Sequence, residues 1–254
     1  MAKKVLIIGD TIIDKDVNLK AIGLSLESPT IKTSFINRGI NYGGAANVAK
    51  YAAYFGLNVT FVTCMTKDSE INFSKKNKLK IINLNEEVEN EKIRYYINHG
   101  AAKYKHLQIN NTNKEHLDLS FHIDMDEYDI IAFSDYRCGI ISEKMIEDAA
   151  KSTAKTFGAS QVSSYQSNFE MYLDMDFLVC NEHEATSFLR RNNVVITKGE
   201  KGCEINGVDY AAPDIENPKN IIGAGDCFYA AFLAYEEPNQ ANSMAAAYVC
   251  GSLC

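Results

Sequence analysis

Tryptophan is absent from the 254 residues and proline occurs only four times, so no proline-rich spacer separates one domain from another. The length is that of one α/β domain with a small appendage. Positive charge is scarce: 26 Lys and Arg against 33 Asp and Glu give a net charge of -7. General binders of nucleic acid or of an anionic membrane need the opposite balance, which argues against both partners. An anionic substrate must be met by a local positive site. No run of about 18 apolar residues is available to cross a bilayer. The N-terminus passes from Met1-Ala2-Lys3-Lys4 straight into an apolar run without a signal-peptide pattern, so the expected location is cytoplasmic. Seven cysteines and five histidines form no CxxC pair and no HExxH, which disfavours a zinc site and leaves the cysteines as buried thiols.

Hydrophobic residues make up 46% of the chain and charged residues 23%, the balance of a folded domain. Residues 5–8 are an apolar, β-branched run that ends in Gly9-Asp10, as a buried parallel strand does where it empties into a loop. Similar strands are expected at 59–63, 130–133, 177–180 and 194–197, with helices from 45, over 142–156, 183–191, 227–235 and 244–251. The alternation predicts an α/β fold with a doubly wound, mostly parallel sheet. Residues 30–37 and 92–110 instead alternate polar and apolar side chains at strand spacing, predicting a small β lid carried by insertions at about 11–40 and 92–110 of a single domain. The Lys-, Asn- and Glu-rich segment 67–92 reads as a poorly packed surface connection.

Gly223-Ala224-Gly225-Asp226 precedes an all-apolar helix. Small residues there let backbone N–H groups turn toward an anion, and the helix N-terminus adds roughly half a positive charge. A carboxylate in the last position repels a phosphate that is merely bound. It suits a base that takes a proton from a hydroxyl attacking phosphorus. The same four residues also fit an ordinary loop with Asp226 as helix N-cap. No GxGxxG follows the first strand and no GxxxxGK[ST] occurs, so a dinucleotide-dependent oxidoreductase and a P-loop enzyme are both disfavoured.

Gly43-Gly44-Ala45-Ala46-Asn47-Val48-Ala49 and Gly223-Ala224-Gly225-Asp226, in that order, resemble the two glycine signatures of the PfkB/ribokinase-type carbohydrate kinases. Asn181-Glu182-His183-Glu184 is similar to the family's N-x-x-E motif, and 197–202 to its T-x-G-x-x-G turn. Gly9-Asp10 with Asp14, Lys92-Ile93-Arg94 and Ser134-Asp135-Tyr136 with Gly139 look nearest to the heptose-7-phosphate kinase domain of ADP-heptose biosynthesis. The resemblance implies a ribokinase-like fold, ATP as phosphoryl donor, Mg²⁺ and a sugar or sugar-phosphate acceptor. It makes Asp226 the base, with the turn from Gly223 through Ala224 to Gly225 as anion hole. Asp10, Asp14, Gly43, Gly44, Asn47, Arg94 and Asp135 fall to the sugar, and Asn181, Glu184, Thr197, Gly199 and Gly202 to the nucleotide, Glu184 reaching Mg²⁺ through water. Arg94 could clamp a phosphate, or stand on an edge strand facing solvent. The lid strands offer a surface through which two copies could form a homodimer.

Some positions depart from the family pattern. Asn220 and Ile222 replace the usual Asp and Thr before the second signature, and Arg137-Cys138 replaces Gly-Lys. The middle looks short, and the last helix stops soon after it begins. A kinase-like protein that binds sugar or nucleotide with weakened catalysis is therefore the alternative.

Overall fold

The computed structural model describes residues 2–77, 79–100, 102–113, 115–117, 122–161, 167–187, 193–219 and 221–253. In chain order the strands are β1 (Lys4–Gly9), β2 (Thr11–Leu24), β3 (Ile31–Gly44), β4 (Asn58–Thr63), β5 (Lys80–Asn83), β6 (Asn90–His99), β7 (Ala102–Asn111), β8 (Ile130–Asp135), β9 (Lys155–Ser160), β10 (Phe177–Asn181), β11 (Val194–Thr197), β12 (Cys203–Ile205) and β13 (Val208–Tyr210). The helices are α1 (Ala45–Tyr54), α2 (Lys67–Ser74), α3 (Glu143–Lys151), α4 (Ala224–Tyr235) and α5 (Pro238–Val249).

Nine strands form one sheet in the order β13-β12-β11-β10-β9-β8-β1-β4-β5, and only β12 and β13 run antiparallel to their neighbours. The apolar run of β1 lies at its heart. Because successive side chains leave a strand on opposite faces, Val5 and Ile7 enter one core with α1 and α4, while Leu6 and Ile8 enter the other with Phe133, Met145 and Tyr172. The small residues of α1 let that helix lie close against the sheet and against Cys227–Leu233 of α4, all buried. The sheet grows from β1 through β4 to β5 on one side and from β8 through β11 on the other. The β1/β8 boundary is thus a topological switch point, where an open α/β sheet leaves a crevice beyond its strand ends.

Above that crevice β3, β2, β6 and β7 make a separate four-stranded sheet. Its register lines up Asn41, Asp14, Lys92 and Asn110 in one row, with Gly39, Asp16, Arg94 and Gln108 in the next on the same face. The opposite face carries Ile40, Lys15, Ile93 and Ile109 in one row, then Arg38, Val17, Tyr95 and Leu107. The expected lid is present, with one face polar and the other mostly apolar but interrupted by Lys15 and Arg38. It is longer than expected, since β3 runs on to Gly44 and so carries the first glycine signature up to the start of α1.

Several expectations are corrected. The helix expected over 142–156 ends at Lys151, where the Ser152 hydroxyl donates to the Ala149 carbonyl, and 155–160 is a strand. There the Thr156 amide and hydroxyl both donate to Asp176, and sheet pairing overrides the helical pattern. Of the helix expected over 183–191, the described residues form a short 3₁₀ turn, Glu184–Ser187, and 188–192 lie outside the described residues. Segment 67–92 is no loose connection. It contains α2 and edge strand β5, with Phe73 buried edge-on against Tyr42 at 5.3 Å. A single aromatic anchors a polar helix whose other large apolar residue, Ile71, is exposed.

Candidate active site

The site assembles where α4 begins, facing the ends of β1 and β8. Gly223 caps the helix in the left-handed region (φ 90°), and a Cβ there would meet Asn47 Nδ2 at 2.7 Å and the Tyr248 hydroxyl at 2.9 Å. Only glycine fits both the dihedral and the space. The Ala224 amide closes the turn onto the Ile221 carbonyl at 3.3 Å, and the Cys227 amide donates to the Gly223 carbonyl at 3.0 Å. The amides of Gly225 and Asp226 are thus the first-turn donors without a partner among the described residues, whereas that of Ala224, within the expected anion-binding turn, is spent on Ile221. Ile222 lacks the family's hydroxyl, yet the turn is still tied down, because the Tyr248 hydroxyl donates to the Ile222 carbonyl at 2.5 Å. Asn220 lies outside the described residues.

Asp226 is held on both oxygens. The Tyr136 hydroxyl donates to Oδ1 at 2.5 Å and the Asn47 amide to Oδ2 at 3.2 Å. Burial pushes the carboxyl up to about 6, against these two hydrogen bonds and the nearby Lys92 cation, all of which favour the charged form. A carboxylate poised there accepts protons near neutral pH. Asn47, expected at the sugar, spends its amide on Asp226.

The polar face of the lid lies across the crevice. Asp14 stands 2.7 Å from Arg94 Nη1, and Asp16 lies 3.5 Å from the same nitrogen. β6 is an interior strand of the lid, so Arg94 is neither on an edge nor free, and two carboxylates already neutralise it. Lys92 lies 5.7 Å above the Tyr136 ring and is the cation that acts on Asp226. Gly43 packs against Asp14, where a Cβ would come within 2.5 Å of Oδ2.

Asp10 and Asp135, expected to touch sugar, lie beneath the crevice floor instead. Asp10 is 1% exposed, and its Oδ2 accepts from the Tyr136 and Cys138 amides at 2.9 and 3.1 Å, while its Oδ1 is buried without a partner. Burial, with Asp135 adding like charge, pushes this carboxyl up to about 7. Asp135 accepts from the Tyr172 hydroxyl, Asn168, Ser160 and the Arg137 amide. Both carboxylates fix the turn that carries Tyr136.

On the other side of Asp226 a cavity of about 570 Å³ is lined by Thr197, Gly199, Gly202, Ala224, Gly225 and Phe228 among others, bringing the expected nucleotide turn beside the start of α4. Asn181 and Glu184 exchange hydrogen bonds, the Asn181 amide to Glu184 Oε2 at 2.9 Å and the Glu184 amide to Asn181 Oδ1 at 2.8 Å. Glu184 is close enough to raise the Tyr136 phenol. Tyr136 and Tyr248 were missed as site residues. Only Tyr136 carried a signal, its place after Ser134-Asp135.

A doubly wound sheet with a β lid and a glycine turn under a carboxylate defines a ribokinase-like phosphotransferase architecture. The family model for pfkB family carbohydrate kinases matches residues 2–235, and the chain belongs to that family. No protein with a curated description matches the sequence. Among solved structures, a ribokinase from Thermotoga maritima superposes with TM-score 0.68 at 20% identity, over 97% of this chain and 93% of that one. A nucleoside kinase from Methanocaldococcus jannaschii gives 0.67 at 18%, over 97% and 91%. The phosphofructokinase-2 of Escherichia coli in complex with fructose-6-phosphate gives 0.65 at 13%, over 99% and 95%. No helix among the described residues is long and apolar enough to cross a membrane.

The buried Asp10 generates a prediction. Its folded-state value of about 7 lies above the ordinary 3.8, so between those values the folded chain keeps a proton that the unfolded chain has lost. Stability therefore falls as pH rises through that window. Asp10→Asn removes this dependence while its amide oxygen can still accept from the turn. In thermal melts the variant should gain on the wild type as pH goes from 4 to 8. A difference that is constant with pH would show that Asp10 does not titrate there.

Proposed function

We propose that the protein transfers the terminal phosphoryl group of ATP to a hydroxyl of a sugar or sugar phosphate, with Asp226 as the base. The observation that carries this is the place of Asp226: first turn of α4, beside the partnerless amide of Gly225, between the 570 Å³ cavity and the polar face of the lid. Asp226 takes the proton of the attacking hydroxyl, and the Gly225 and Asp226 amides meet charge growing on the phosphoryl oxygens. Asp14 on the lid accepts hydrogen bonds from sugar hydroxyls and is itself held by Arg94. Thr197, Gly199 and Gly202 line the nucleotide side.

Mg²⁺ supplies charge neutralisation along the phosphates. Asn181 and Glu184 suit an ion that keeps most of its water, because each already holds the other's amide and neither belongs to a cage of three or more ligands among the described residues.

A heptose phosphate or similar phosphorylated sugar is the acceptor we favour, with Lys92 as the cation for the phosphate it already carries. Arg94, neutralised by Asp14 and Asp16, acts by orienting Asp14. The lid supports a homodimer, because Phe35, Ile40, Leu107 and Ile109 are 66, 41, 49 and 41% exposed on one small sheet, on a face that also carries Lys15 and Arg38. A patch of that kind marks an interface, and a two-fold axis would let it cover itself.

Asp226→Asn should lower kcat by about 100-fold or more at unchanged fold. In the wild type, kcat/KM should fall about tenfold per pH unit below about 6, since the protonated base is inactive. Near wild-type turnover in the variant would leave Asp226 as a first-turn acid that only complements the N-terminus of a helix capped by Gly223. For the acceptor, Lys92→Met should erase most of a preference for a sugar phosphate over its parent sugar. An intact preference would move the phosphate site elsewhere. Leu107→Lys should convert a dimer to a monomer in sedimentation velocity, and a wild type already monomeric at tens of micromolar would remove the dimer.

A further inference from the structure

The base is already engaged on its crevice side. A tyrosine hydroxyl is an O–H donor, and that of Tyr136 meets Asp226 Oδ1 at 2.5 Å, the relation an attacking alcohol must take up. Its ring lies over the first glycine signature, where a Cβ on Gly44 would stand 3.4 Å from Cδ2, and under the Lys92 ammonium at 5.7 Å. The space between the lid's polar face and the base is therefore filled by a side chain of the protein itself. Tyr136 is also wired to the lid. It rides on a turn in which Arg137 (φ 60°) and Gly139 (φ 90°) are both left-handed. The Asn113 side chain donates to the Cys138 carbonyl at 3.1 Å, and its backbone amide donates to Asn90 Oδ1 at 2.8 Å. Asn90 is the first residue of β6. Movement of β6 is thus passed through Asn113 to the Tyr136 turn.

We propose that Tyr136 is a positioning residue that gates the base: it occupies the place of the acceptor hydroxyl while the acceptor is absent and yields that place when an acceptor draws the lid down. The inference rests on the reading of Asp226 as base. What the gate prevents is hydrolysis, in which a water oxygen bonds to the terminal phosphorus as the bond to the ADP oxygen breaks. The water's proton passes to Asp226. With Oδ1 held by a phenol that burial keeps protonated, water has no free base at that oxygen.

Phosphate release from MgATP with no acceptor present tests this. Tyr136→Phe keeps the ring and removes the donor, and should raise acceptor-free hydrolysis at least about tenfold over the wild type. Adding Asp226→Asn should return it to background. Binding of MgADP, followed by calorimetry, should match the wild type and shows that the variant is folded. Should Tyr136→Phe fail to fold, Asn113→Ala, which unties the turn from the lid, should raise the same hydrolysis. A folded variant that hydrolyses ATP no faster than the wild type overturns the gate. A rise that survives Asp226→Asn overturns Asp226 as the base instead. A wild type that binds no MgADP overturns the kinase reading and the gate with it.

Discussion

A carboxylate has been taken out of water at the head of a helix, and the surrounding structure serves to keep it usable. Burial alone would drive Asp226 toward its protonated form, whereas the donors from Asn47 and Tyr136 and the charge of Lys92 draw it back. Each contribution arrives from a different part of the chain: Asn47 from α1 behind the first glycine signature, Tyr136 from the turn after β8, Lys92 from the lid. A site so composed exists only if both cores pack correctly, because no two of these residues are neighbours in sequence. This is the physical sense in which the α/β body and the lid are one machine.

The buried acids beneath the site extend the same logic. Asp10 and Asp135 are buried and hold the Tyr136 turn by accepting from its amides. The carboxylate Oδ1 of Asp10 is left without a donor among the described residues. Such an arrangement costs stability, since unpaired polar atoms away from water are expensive. It persists at a strand end on the switch point, where local strain and function commonly coincide.

Much of this was legible in the residues. The apolar run 5–8, the small-residue helix after Gly44 and the turn before α4 have signals that depend on their immediate neighbours alone, and the structure places them as read. Phe73 and β9 escaped because one buried aromatic in a polar segment, or a strand beginning four residues after a helix, has no periodicity to detect. Arg94 was visible as a cation, but its neutralisation by Asp14 and Asp16 comes from the register of two strands about 80 residues apart in sequence. Tyr136 is the same case. Its chemistry depends on a partner 90 residues away, and no local pattern carries that information.

The lid presents carboxylates, amides and cations to the crevice and mainly isoleucines, leucines and tyrosine, with Lys15 and Arg38 among them, to the outside, with one alternation along each strand separating the two. Strand side chains repeat every second residue, so a one-residue slip reverses every assignment at once. Loss or gain of a single codon within 14–17 or 92–95 would turn the residues of that strand beyond the change to the other face and break the ladder where one residue is left unpaired. The bulges at Asn18/Leu19 and Tyr95/Tyr96 absorb odd steps farther out, away from the site. Length variation in this lid should therefore be confined to its tips or come in pairs of residues, a constraint set by the geometry of the sheet rather than by any single side chain.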